Sequence, residues 1–139
     1  MRLWLITYLV TAIGFLGCDA VWLSMMASRL YRPALGGMLR ESFAFAPAIA
    51  FYVLYIAGIL IFAIAPARSA GVWYGATWRG ALLGLMAYAT YDLTNQATLR
   101  DWPLAITLAD LCWGTMLTAL AATIGFIAAR WLGGSASTG

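Results

Sequence analysis

The chain reads as an all-α, polytopic membrane protein: a four-transmembrane-helix bundle with both termini on the same side. Three observations predict this. Of 139 residues, 64% are hydrophobic and only 9% are charged, whereas soluble domains carry roughly 25% charged residues. The apolar residues gather into runs long enough to cross about 30 Å of hydrocarbon at about 1.5 Å per residue. Short segments containing arginine, proline and glycine separate those runs. The expected organisation is a single domain over residues 1–132, followed by a mobile polar tail over residues 133–139.

The first span is expected over residues 3–26. Met1-Arg2 before an apolar run has the outline of a secretion signal, and Phe15-Leu16-Gly17-Cys18 faintly that of a lipoprotein cleavage box. The apolar run continues to Met26, however, and a signal's apolar region covers only about 7–15 residues. A retained span is therefore expected. A polar connection follows from Ser28, with Arg29, Arg32, Arg40 and Glu41; residues 33–45 suit a short interfacial helix.

The second span is expected over residues 47–65. Pro47 fits a first helical turn, where its missing N–H costs nothing. No charge interrupts this span, and Tyr52 and Tyr55 are its only strongly polar-tipped members. Pro66 is expected to end it, with residues 67–71 as a turn.

The third span is expected over residues 76–99. Gly80 and Gly84 form a small-xxx-small pair, which permits close helix approach. Its second half, Tyr88-Ala89-Thr90-Tyr91-Asp92-Leu93-Thr94-Asn95-Gln96, is too polar to face lipid and must face protein or water. Arg100-Asp101-Trp102-Pro103 makes a tight reversal. The fourth span, residues 104–132, is longer than a bilayer requires and is expected to tilt or protrude.

Trp4, Tyr8, Trp73, Tyr74, Trp78 and Trp131 then fall at the face of the termini, as an aromatic belt should. Tyr31 and Trp102 are expected at the opposite face. Arginines do not decide the orientation. Arg2, Arg68, Arg79 and Arg130 lie on one side, and Arg29, Arg32, Arg40 and Arg100 on the other. The positive-inside count ties, which leaves a single orientation set by other cues beside a dual topology with an antiparallel dimer.

The formal charge of +3 comes from arginine, with no lysine and no histidine. The arginines are spread along the chain instead of clustered, so no nucleic-acid partner is expected. Cys18 and Cys112 read as small buried hydrophobes. There is no CxxC or Cys/His cluster, and no metal or other cofactor is expected.

Asp19, Asp92 and Asp110 all interrupt apolar spans. Intramembrane acids are expensive and mark pathways, binding sites or structural pairs. Counted from the reversals at Arg29 and Arg100, the three fall within about 10–12 Å of one membrane face. Helical spacing places Tyr88 and Asn95 on the face of Asp92, with Tyr91 beside them. Trp22 and Trp113 lie too deep for an interfacial belt and need acceptors for their indole N–H groups. The pattern Asp-x-x-Trp occurs twice, at Asp19–Trp22 and Asp110–Trp113, on helices of opposite direction. A match of four residues reads as coincidence more readily than as an inverted repeat.

The run from Tyr88 to Asn95, with Ala97-Thr98-Leu99 and Asp101-Trp102-Pro103, resembles a small bacterial inner-membrane family, DUF2177. Gly17, Asp19, Trp22 and Leu23, then Phe51-Tyr52 with Tyr55, then Asp110 with Trp113-Gly114, are similar to the same pattern. The resemblance covers nearly the whole chain. It implies a four-span protein of the bacterial inner (cytoplasmic) membrane and brings no activity, substrate or cofactor.

Three functions are open on the residues alone. Asp19, Trp22, Tyr88, Tyr91, Asp92, Asn95, Asp110 and Trp113 suit binding or transport of a small cation, a proton-coupled solute or a polar lipid head. Aromatic faces would add cation–π attraction of about 0.5–2 kcal/mol per contact. A transporter of four short spans would require a homodimer. The second reading is a structural or accessory subunit whose polar layer staples the helices. The third is a lipid- or quinone-modifying enzyme using paired aspartates as acid and base. Against an enzyme, no nucleophile elbow, histidine or phosphate loop is present, and no catalytic residue is assigned.

Overall fold

A computed structural model describes residues 1–134, and all regular structure among them is helical. Part of the expected polar tail, residues 135–139, lies outside the described residues. Four long helices form the molecule: the first Arg2–Met38, the second Phe45–Ala70, the third Trp73–Thr98 and the fourth Leu104–Gly134. The first, second and fourth are long and apolar enough to cross a membrane. The third has the length, but its polar second half lowers its hydropathy, as the run from Thr90 to Gln96 requires.

Two helices run further than the sequence reading allows. The first does not stop at residue 26 but passes through a π-helical turn, Ala27–Tyr31, into Arg32–Leu35 and a final 3₁₀ turn, Gly36–Met38. The second does not end at Pro66. It passes through a π-helical turn, Leu60–Ile64, and continues over Ala65–Ala70. In both places the π turn ends two residues before a proline, Pro33 or Pro66. Proline lacks an N–H and its ring crowds the carbonyl four residues earlier. A widened turn relieves that clash without breaking the helix.

The second helix stops at Gly71, which takes the left-handed conformation (φ 73) that costs glycine nothing. The Gly71 N–H bonds to Arg68 O at 3.1 Å and the Val72 N–H to Ala67 O at 3.2 Å, the pair of bonds of a Schellman cap. The third helix stops at extended Leu99. Asp101, at φ 65, then reverses the chain ahead of Trp102-Pro103, a conformation that short polar residues tolerate.

Successive contacts show that the first and fourth helices run antiparallel. Gly125 meets Thr11, Gly14 meets Ile124, and Asp19 meets Trp113. The third and fourth also run antiparallel, from the Thr77–Thr123 hydroxyl pair at 2.7 Å to the Thr107 hydroxyl donating to Gln96 Oε1 at 3.0 Å. Arg68 lies over Trp4 and beside Gly133. The two ends of the described chain therefore sit at one end of the molecule.

The third and fourth helices touch backbone to backbone. A Cβ on Gly84 would lie 2.2 Å from the Gly114 carbonyl oxygen, and one on Gly114 would lie 2.1 Å from the Tyr88 ring. Only glycine allows this approach. The expected role of Gly84 as a packing residue is what the geometry displays. Phe15, Ile56, Ile59, Ile64 and Leu117 fill the interior. Outward, Leu5, Leu9, Ile13, Leu54, Ile61, Phe62 and Met116 stay exposed, a surface that suits lipid and would be costly in water.

Candidate functional site

Asp19 has both carboxylate oxygens engaged. The Tyr52 hydroxyl donates to Oδ2 at 2.9 Å, and the Trp113 indole N–H donates to Oδ1 at 3.2 Å. The donors come from the second and fourth helices, so this carboxylate ties three helices together. Phe15, one helical turn earlier on the first helix, packs edge-on against Tyr52 and Tyr55. Asp19 is itself buried, and the low dielectric there strengthens its hydrogen bonds.

Asp110 is reached by a relay. The Trp22 indole N–H donates to the Tyr31 hydroxyl at 3.0 Å, and that hydroxyl donates to Asp110 Oδ1. Trp22 and Trp113 stack face to face, their centroids 4.5 Å apart and their planes 8° from parallel. The two Asp-x-x-Trp segments thus form one unit. Trp113 beside Asp110 serves Asp19, while Trp22 beside Asp19 serves Asp110 through Tyr31. Two short motifs carry no sign of which helices will face each other, so this contact is not legible in the sequence.

Asp92 has neither kind of support. It is 0% exposed, and neither carboxylate oxygen has a hydrogen-bond partner. Asp110 lies within electrostatic reach of Asp92, and Asp19 within reach of Asp110. The three acids therefore share one region, contributed by the first, third and fourth helices. A carboxylate withdrawn from water and left unpaired must be neutralised, by a proton or by a cation.

Beside this layer is a partly open cavity of about 360 Å³, lined by Phe51, Ala87, Tyr88, Tyr91 and Asp110. Three of those five residues are aromatic, and Asp110 supplies the acid. Tyr88 is one helical turn from Asp92 and is pinned against Gly114. Tyr91 forms the rim: it is 61% exposed and meets Trp102 edge to face at 5.9 Å. Trp102 is held in turn by its indole N–H to the Thr107 hydroxyl at 3.1 Å. No group of three or more His, Cys, Asp and Glu side chains capable of holding a metal occurs among the described residues.

A family described as a predicted membrane protein, DUF2177, matches residues 4–127. The chain belongs to the DUF2177 family. No curated protein and no solved structure matches the chain. Membership makes this an integral membrane protein, in keeping with the three apolar helices. The family description carries no chemistry; the candidate site is defined by the geometry of this DUF2177 chain.

Of the residues singled out in the sequence, Asp19, Trp22, Asp110 and Trp113 form one bonded and stacked unit. Tyr88, Tyr91 and Asp110 line the cavity, and Asp92 is buried next to Tyr88. Asn95 is half-buried, and no side-chain hydrogen bond ties it to the acids among the described residues. Tyr31 corrects the expected belt: it turns inward to Trp22 and Asp110. The π turn that ends at Tyr31 shifts the helical phase, which a count by 3.6 residues cannot anticipate. Tyr52 and Phe51 join the site from outside the residues that the sequence singles out. Their signal was present in Tyr52, a phenol in a span without charges, since a buried hydroxyl needs an acceptor. Cys112, expected to be buried, is exposed on the outside of the fourth helix.

Proposed function

We propose that this protein binds a small organic cation in the cavity lined by Phe51, Tyr88, Tyr91 and Asp110, with Asp92 as the second acid, and carries it across the bilayer in exchange for protons. In this reading the third helix is the fourth membrane span, and the membrane is the bacterial inner membrane. One observation carries the proposal: Asp92 is fully buried with both oxygens unpartnered. A residue kept only for structure would have been paired, as Asp19 is. Cation–π contacts to Tyr88 and Tyr91 would add to the attraction of the acids.

Proton coupling follows from the sign of the charges. Protonating Asp92 or Asp110 removes the negative charge that draws a cation. Binding must therefore weaken as pH falls, by up to about tenfold per pH unit for each acid that must lose its proton. The test is tetramethylammonium binding to the purified chain, read by tryptophan fluorescence, because Trp22 and Trp113 adjoin the acids. Expected are saturable binding, weakening toward acid pH, and an affinity lower by about tenfold or more in Asp92→Asn with folding intact. Binding that is indifferent both to pH and to Asp92→Asn would sink the proposal.

Asp19 favours a second, narrower reading. With both oxygens bonded across helices, it fits a staple more closely than a ligand site. The polar layer then divides between one structural acid and two that serve the cation.

A further inference from the structure

The two ends of the molecule differ in charge. The acidic side chains are Asp19, Glu41, Asp92, Asp101 and Asp110, and each belongs to the half remote from the chain termini. Arg2, Arg68, Arg79 and Arg130 belong to the half that carries the termini, with no acidic side chain among them.

Two of these arginines converge. Arg68, Gly71, Phe126, Arg130 and Gly133 line a cavity of about 380 Å³ between the ends of the second and fourth helices. The Arg68 guanidinium lies 5.6 Å from the centre of the Trp4 ring. It also lies so near the fourth helix that a Cβ on Gly133 would be 2.6 Å from one of its nitrogens. Arg68 is half-buried and Arg130 exposed. Each sits near a helix C-terminus, whose dipole amounts to about half a negative charge. Two full guanidinium charges exceed that, leaving about one positive charge over the cavity.

We infer that Arg68 and Arg130 form a binding site for a phosphate group, supplied by the headgroup of an anionic phospholipid. Planar guanidinium forks match phosphate oxygens two at a time. Phe126 lines the cavity and the Trp4 ring lies against Arg68, apolar groups that suit the acyl region of a lipid. Trp4, Trp73 and Trp131 at the same end mark the level at which headgroups lie. Basic pockets between membrane helices are a recurrent form of headgroup recognition. This site is remote from the acid-lined cavity, so its test stands or falls separately from the cation proposal.

The experiment is native mass spectrometry of the full chain released from micelles containing equal amounts of phosphatidylglycerol and phosphatidylcholine. The wild type is expected to retain phosphatidylglycerol preferentially. Arg68→Gln with Arg130→Gln should lower that retention by about thirtyfold, at the usual worth of a basic residue near an anionic headgroup. Arg32→Gln with Arg40→Gln, at the other end, should leave it unchanged. Arg130→Gln alone, at an exposed position, should weaken it without affecting folding, and Arg68→Lys should preserve part of it. A parallel arm adds inorganic phosphate without lipid and follows Trp4 fluorescence. A response lost in the double variant, without any lipid preference, would support the phosphate site and assign it a soluble ligand. Equal phosphatidylglycerol retention by wild type and double variant, with no response to inorganic phosphate, would overturn the site.

Discussion

Asp19 and Asp92 lie in the same buried region on different helices, and their surroundings are opposite. Asp19 meets a phenol and an indole, each donating to its own oxygen. Asp92 meets no donor at all. Burial alone therefore does not tell a structural acid from a functional one; the local supply of donors does. Around Asp19 the helices bring Tyr52 and Trp113 inward. Asp92, one turn beyond Tyr88 on the third helix, is buried without any donor reaching either oxygen.

The largest expected effect is on Asp19. Asp19→Ala removes two charge-assisted hydrogen bonds and leaves the Trp113 N–H and Tyr52 hydroxyl without partners. The expected loss is about 3 kcal/mol or more, read from reversible unfolding in mixed micelles. Asp19→Asn keeps one acceptor and should lose about half as much. An unchanged unfolding midpoint for Asp19→Ala would erase the distinction between the two acids.

The seam comes next. A methyl added at Gly84 collides with the Gly114 carbonyl oxygen, and backbone cannot swing aside as a flexible side chain would. Gly84→Ala should cost about 1–3 kcal/mol. It should also admit water along the interface, seen as faster amide exchange in the fourth helix near Thr118. Loss of stability without faster exchange would mean that the seam does not exclude water from this interface.

Asp92→Asn should behave differently from either. Removing an uncompensated acid from the interior should leave stability unchanged or raise it by about 1 kcal/mol. Tetramethylammonium affinity should meanwhile fall by about tenfold or more, the effect of losing a charged hydrogen-bonding partner. A variant that loses stability and keeps its affinity would make Asp92 a structural group.

Much of this contrast was legible in the amino-acid sequence, and the missing part has a definite cause. The polar run from Tyr88 to Gln96 could not face lipid, and the acids could be placed at one depth by counting residues along straight helices. Gly80 and Gly84 announced a close contact. Counting failed where helices change pitch. The turns before Pro33 and Pro66 carry the first and second helices past their expected ends, and the first of them swings Tyr31 inward. Which acid would be paired was equally hidden. It depends on how side chains from separate helices meet, as with Tyr52 reaching Asp19, and no spacing within a single helix records that.

Tyr31 gives the smallest expected effect and the sharpest probe of the boundary between the two kinds of acid. It donates to Asp110 while accepting from Trp22, so it links the stacked tryptophans to the acid that lines the cavity. Tyr31→Phe removes one bond on each side and should cost about 1 kcal/mol of stability. Asp110, freed of its donor, then resembles Asp92, and its carboxylate is more available to a cation. Tetramethylammonium should bind tighter in Tyr31→Phe although the fold is weaker. Trp22→Phe should show the same stability loss, and the double variant should lose less than the sum, because both changes break one relay. If the two losses add in full, Trp22 and Tyr31 act independently, and Asp110 is not governed by the tryptophan pair.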